Sequence, residues 1–235
     1  MFFYRIYQFL IAFPLLIVLT VITAVITIVG CIPTKGRFWG YYPAKIWARS
    51  FCWLNFVSVS VKGRENINPA TSYVFVSNHQ GAFDIFAIYG FLGHNFKWMM
   101  KASLRKIPFV GYACYKAGHI FVERTNAARI RHSMELAERQ LQGGMSLVVF
   151  PEGSRTRTGE LGTFKRGAYM LATELSMPVV PVTINGAYSI MPRNARLPRP
   201  GHITLTIHQP IFAQAEGHDL DTLMTQSRAA IASAL

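Results

Sequence analysis

The segment Asn78-His79-Gln80-Gly81-Ala82-Phe83-Asp84 directly follows the apolar run Tyr73-Val74-Phe75-Val76. A histidine therefore leaves the end of an expected buried strand, and a carboxylate follows five residues later. Five residues turn through about 500° of ideal helix, so the two side chains do not share a helix face. They meet only if His79 sits in the turn and Asp84 lies near the start of the next helix. In that arrangement the aspartate holds one ring nitrogen protonated and leaves the other free to accept a proton. A histidine placed here can also do no more than cap a turn, so the pair alone does not decide.

Further segments follow in order: Gly118-His119-Ile120-Phe121-Val122-Glu123-Arg124, Phe150-Pro151-Glu152-Gly153-Ser154-Arg155 and Val179-Val180-Pro181-Val182-Thr183-Ile184. Together with the His79…Asp84 spacing they resemble the motifs of the glycerolipid acyltransferases, the 1-acylglycerol-3-phosphate acyltransferase family. The likeness runs over roughly residues 70 to 185. Ser154 stands where that family carries threonine and keeps the hydroxyl. Lys101, Pro108 and Gly111 fit the family's lysine segment, and Lys165 and Gly167 its Phe-Lys-x-Gly stretch.

The resemblance implies transfer of a fatty acyl group from a thioester to the sn-2 hydroxyl of 1-acylglycerol-3-phosphate, giving phosphatidic acid. The alternative acceptor is another lysolipid, such as a lyso-ornithine lipid or a lysophospholipid. Such a transfer needs a base for the hydroxyl proton, donors for the oxyanion, and alignment of the reactants. The base is expected to be His79, oriented by Asp84. By resemblance Lys101, Arg124 and Arg155 bind the acceptor's phosphate, where an arginine fork suits bidentate contacts. Gly118, Phe121, Glu152, Gly153, Ser154 and Pro181 are expected to shape the site, although Glu152 can instead pair with a neighbouring arginine. The chain has no G-x-S-x-G elbow, so direct transfer fits better than an acyl-enzyme. No metal and no cofactor are expected; acyl-CoA or acyl carrier protein enters as the acyl donor.

Composition bounds the partners. Of 235 residues 51% are hydrophobic and 15% charged, with a net charge of +13. Such a charge implies anionic partners, and nucleic acid and anionic lipid both qualify. No nucleic-acid module appears, and a nucleic-acid reading leaves the apolar N-terminus unexplained. Cys31, Cys52 and Cys114 match neither a disulfide framework nor a metal spacing, which points to a reducing compartment.

Residues 6 to 34 carry no charge. About 20 apolar residues span a bilayer core, so this run suffices as a membrane helix, bent by Pro14 or re-entrant in one leaflet. It is long for a signal peptide and lacks an A-x-A site. Lys35, Arg37, Lys45 and Arg49 follow it, against Arg5 before it, which predicts the remainder on the cytoplasmic face. Residues 38 to 58 are rich in aromatics, and Ile46, Trp47, Phe51 and Leu54 share one side of a helical projection. That predicts an amphipathic helix at the headgroups, in contact with membrane lipids, or packed on the protein.

The elements that must position these residues alternate. Strands are expected at 57–61, 72–77, 96–100, 119–122, 145–150, 178–184 and 203–207, and helices at 83–92, 126–142, 165–175 and 219–234. Such alternation predicts an α/β fold, a mixed, mostly parallel sheet flanked by helices, with ligands beyond the strand C-terminal ends. His79, Glu152 and Arg155 all fall there. Residues 1–58 form the expected membrane-anchoring segment and 59–235 the catalytic domain.

Overall fold

In a computed structural model of the chain, residues 2–34, 36–123, 135–136, 141, 145–212 and 219–235 are described. Their strands are β1 (Val57–Lys62), β2 (Val74–Ser77), β3 (Phe96–Lys101), β4 (Ile120–Val122), β5 (Ser146–Val149), β6 (Val179–Asn185) and β7 (Gly201–Ile207). They form one sheet in the order β1-β7-β6-β2-β5-β3-β4. β6 and β7 are antiparallel and every other neighbouring pair is parallel. The sheet is thus mixed and mostly parallel, as the alternation predicts.

β2 lies at the centre, between β6 and β5, with Val74 opposite both Val179 and Leu147. All of its residues are buried because both faces are covered. Successive side chains serve different layers. Phe75 joins a core with Phe83, Ile88 and Leu92, whereas Val74 and Val76 join one with Tyr169, Leu171 and Leu223. Full burial of a side chain such as Phe75 contributes about 1.5–3 kcal/mol. The first layer is made by α3 (Tyr42–Leu54) and α4 (Phe83–Phe91), the second by α6 (Gly167–Glu174) and α8 (Leu220–Ala232). α8 begins as expected, with the Asp219 side chain accepting from the Thr222 N–H at 2.7 Å. The helix expected over 126–142 lies almost wholly outside the described residues.

The N-terminal helix runs from Phe2 to Cys31 and is long and apolar enough to cross a membrane. It divides into α1 (Phe2–Tyr7), a wide π turn at Gln8–Ala12, and α2 (Phe13–Cys31). The wide turn comes just before Pro14, which has no N–H for the regular ladder. The predicted bend is thus a local change of helix register. Leu16, Ala24, Thr27 and Cys31 form a buried stripe on α2, while Ile17, Val18 and Val29 are exposed. The helix is also tied down near its start. Gln8 is fully buried and donates to Asn55 Oδ1 at 3.3 Å and to the Pro198 carbonyl at 3.2 Å.

The expected apolar side of α3 is divided. Trp47 and Phe51 turn inward against Phe86 of α4, at centroid distances of 5.2 and 4.2 Å. Ile46 and Trp53 point outward, 66% and 65% exposed. Close packing against α4 needs small residues in the contact, and Ala48 and Cys52 supply them, both 0% exposed. A short helix, α7 (Ala187–Ile190), and α5 (Val110–Lys116) complete the layers.

Candidate active site

β2 ends at Ser77, and Asn78 continues its ladder with a side chain. Asn78 Nδ2 donates to the Ile184 carbonyl and the Ile184 N–H donates to Asn78 Oδ1, both at 2.8 Å. This mimic of a peptide group fixes the end of the strand and turns His79 out at its carboxyl edge. Gly81 then packs so closely that a Cβ would stand 2.6 Å from the Ala187 carbonyl oxygen and 2.8 Å from that of Met191. The Ala82 N–H donates to the same Met191 oxygen at 3.1 Å.

The turn brings Asp84, in the first turn of α4, back under His79. His79 Nδ1 lies 2.7 Å from Asp84 Oδ2. The same oxygen accepts the N–H groups of Gln80 at 2.6 Å and Gly81 at 2.8 Å. A carboxylate oxygen so occupied only accepts, so Nδ1 carries a proton, and in the neutral ring Nε2 is the nitrogen with the lone pair. Asp84 is 0% exposed and sits at a helix N-terminus, where partial positive charge favours an anion. The imidazole stacks on Phe150, centroids 3.9 Å apart and planes within 8°.

Phe150 follows β5, the neighbour of β2. It opens a tight turn closed by the Gly153 N–H on the Phe150 carbonyl at 3.0 Å, with Pro151 second and Gly153 at φ +77°. Glu152, third in that turn, joins three loops. Its Oε1 accepts the His79 N–H at 2.8 Å and its Oε2 the Gly162 N–H at 2.9 Å. Burial pushes the Glu152 carboxyl up, offset in part by these two N–H groups. Backbone amides thus occupy both carboxylate oxygens, in place of the arginine considered from the sequence. The His79 carbonyl accepts from the Thr156 N–H at 2.8 Å, closing the loops on each other.

The structure therefore gathers His79, Asp84, Glu152, Gly153 and the half-buried Arg155 at the carboxyl ends of β2 and β5, with Ser154 exposed on the same turn. Lys101 ends β3, the next strand along that edge, and is exposed. Phe121 lies in β4 opposite Met100, one strand further, and is half-buried. Pro181 is buried in β6 beside Val76, inside the sheet rather than in the loops. Gly118 precedes β4 and so stands at the opposite, amino edge of the sheet, where its φ of +76° serves the turn. It therefore does not shape the His79 cluster. Arg124 lies outside the described residues. Sequence reasoning assigned no role to Asn78, Phe150 or Gly162, although Asn78 and Phe150 lie in the quoted motif segments.

An apolar cavity of about 230 Å³ opens beyond Phe150, bounded by α2, α3, α4 and α5 and lined by Thr27, Trp47, Tyr89, Trp98 and Met100 among others. The Trp98 ring, part of the cavity wall, lies 5.5 Å from the Phe150 ring between centroids, so these two rings stand between the cavity and His79. His119 also lines it but is no second base. Burial, and next the charge of Lys97, push its pKa down to about 3. Its Nδ1 accepts the Trp98 N–H at 3.2 Å, which leaves Nε2 to donate to the Tyr89 hydroxyl at the same distance.

The acyltransferase family model matches residues 58–185. The chain is 32% identical, over 86% of its length, to a chloroplastic 1-acyl-sn-glycerol-3-phosphate acyltransferase of Arabidopsis thaliana, of which it covers 56%. It is 29% identical over 97% of its length to a 1-acyl-sn-glycerol-3-phosphate acyltransferase of Chlamydomonas reinhardtii, of which it covers 67%. The matched part of the chain thus spans only about half to two thirds of the length of these curated relatives. The crystal structure of the 1-acyl-sn-glycerophosphate (LPA) acyltransferase PlsC from Thermotoga maritima superposes with a TM-score of 0.74 at 27% identity. That match covers 85% of this chain and 80% of the other. The matched span holds the whole His79 cluster, and the chain belongs to the acyltransferase family.

Proposed function

We propose that this protein transfers a fatty acyl group from an acyl thioester to the sn-2 hydroxyl of 1-acylglycerol-3-phosphate, forming phosphatidic acid at a membrane surface. One observation carries the reading: a histidine whose Nδ1 is held by a buried aspartate at 2.7 Å. His79 Nε2 takes the acceptor's hydroxyl proton as the oxygen attacks the thioester carbonyl. The new C–O bond forms, the C–S bond breaks, and the thiolate leaves with the proton returned by the imidazolium. Transfer is direct and calls for no metal or further cofactor, since thioester and histidine supply leaving group and base. The donor is acyl-CoA or acyl carrier protein.

Lys101, Arg124 and Arg155 bind the acceptor's phosphate in this reading, and Glu152 with Gly153 holds the loop that presents Arg155. Residues 1–58 anchor the chain and residues 59–235 catalyse. Lys35, Arg37, Lys45 and Arg49, after the apolar helix, favour the cytoplasmic face. The relatives' names, the apolar helix and the cation-rich edge support the reading together.

The test incubates the purified protein in detergent with acyl-CoA or acyl carrier protein and a panel of lysolipids, and identifies products by mass spectrometry. Phosphatidic acid is the expected main product. Acylation confined to lysolipids without a terminal phosphate, such as a lyso-ornithine lipid, overturns the acceptor assignment.

A further inference from the structure

A second apolar space lies on the other side of the His79 turn. It is a groove of about 530 Å³ between α2, α4 and the basic loop that follows α7. This lies within the range of small-ligand pockets, about 300–1,000 Å³. α2 contributes Phe13, Leu16, Ile17 and Val21, and the facing wall is Ala82, Phe83, Phe86 and Met191. Ala82 and Phe83 belong to the His79…Asp84 turn itself, so the groove ends beside the reacting groups.

A partition separates this groove from the first cavity. Trp47 Nε1 donates to Thr20 Oγ1 at 2.8 Å, and the rings of Trp47, Phe51 and Phe86 pack on one another. Thr20 borders both spaces. His79 thus stands between two apolar compartments, one reached through Phe150 and Trp98, the other through Ala82 and Phe83.

The two differ in charge and access. No charged residue lines the first cavity. The groove has one, the exposed Arg196. Arg193 of the same loop donates to the Arg155 carbonyl at 3.4 Å, which joins the basic loop to the proposed phosphate site. The groove also opens on the outer face of α2, where Ile17 is 65% and Val21 37% exposed. An amphiphile already in the bilayer enters there sideways.

We infer that this groove holds the sn-1 acyl chain of the acceptor lysolipid, with the phosphate toward Arg155 and Arg193. The inference rests on the proposed activity and adds where the acceptor's chain lies. A phosphate-headed single-chain amphiphile matches an apolar trough that ends in arginines. An acyl thioester has no anion near its reacting carbonyl and matches the uncharged cavity instead.

A lysophosphatidic acid bearing a diazirine at the end of its chain tests this by photolabelling the full-length protein in detergent. The expected label falls on Phe13–Val21 or Phe83–Phe86. Label on β3 or α5, or spread without preference over exposed α2, overturns the inference. In parallel, Ile17→Trp and Val21→Trp narrow the trough. They are expected to lower the ratio of kcat/KM for long-chain over short-chain acceptors on the order of tenfold. A shift in donor-chain preference instead, with acceptor preference intact, assigns the groove to the donor and also overturns it. Labelling does not need turnover, so a wild-type protein that makes no phosphatidic acid refutes the activity, while the label position alone judges the groove.

Discussion

Asp84 Oδ2 accepts from the His79 ring and from the N–H groups of Gln80 and Gly81, so one oxygen sets both the tautomer and the turn. His79→Ala is expected to lower transfer by about 10²–10⁴-fold with the fold intact by circular dichroism. Substantial activity in that variant rules out the general-base role. Asp84→Asn retains the size of the side chain but places an NH₂ where an acceptor is needed, and a loss approaching that of His79→Ala is expected in kcat. Glu152 separates a structural effect from a chemical one. Glu152→Gln leaves one backbone N–H, of His79 or Gly162, facing an amide donor, at a cost of about 1–3 kcal/mol. Its rate is expected to fall less than that of Glu152→Ala, which loses both bonds; equal rates in the two variants would show that Glu152 does not hold the loops.

At the scale of elements, the site depends on the turn after β2 meeting α7 and Met191 just beyond it. Gly81→Ala brings a methyl within 2.6 Å of the Ala187 oxygen, closer than Cβ atoms approach backbone, and the turn must shift. A displacement of about 1 Å costs on the order of 10²-fold in rate. A folded Gly81→Ala protein with wild-type kcat would contradict this account of the turn. A second link joins the N-terminal segment to the sheet. Buried Lys97 donates to the carbonyls of Gly36 at 3.0 Å and Ala117 at 2.6 Å. Burial pushes its pKa down from 10.5 to about 8. Between these values the unfolded chain binds the extra proton, so Lys97 makes stability rise with pH from about 8 to 10.5. The effect is at most about 3 kcal/mol. Lys97→Met is expected to flatten that rise relative to wild type in denaturant titrations. Identical slopes would mean that Lys97 keeps an ordinary pKa.

At the scale of the whole molecule, many of the exposed apolar residues lie on the N-terminal helix and on or beside α3. Phe38, Ile46, Trp53 and Phe56 are each more than half exposed, and Lys45 and Arg49 are interspersed among them. Aromatic residues sit well at the headgroup level, and each basic residue near an anionic surface adds roughly 1 kcal/mol. A chain lacking residues 1–34 is therefore expected to float with anionic vesicles at low salt and to be partly released at high salt. Adding Ile46→Glu and Trp53→Glu should remove the remainder. A folded truncation that stays wholly soluble at low salt would leave the N-terminal helix as the sole anchor.

The sequence by itself determined which residues could react and which strands carry them. The His79…Asp84 spacing, the apolar runs of β2 and β5 and the uncharged N-terminus are local features, and periodicity with turn chemistry reads them directly. The Phe150–Arg155 motif also marked one edge of the sheet, because strand ends are legible from the chain. Only the tertiary structure decided the partners. Glu152 meets the amides of His79 and Gly162, Gly118 falls at the far edge, and Trp47 turns inward while Ile46 faces out. Phe150, which the sequence marked only as the first residue of a motif, becomes the surface on which the imidazole rests. Each outcome depends on which strands are neighbours and which helix faces meet. Those are fixed by close packing between residues distant along the chain, which a local pattern does not encode.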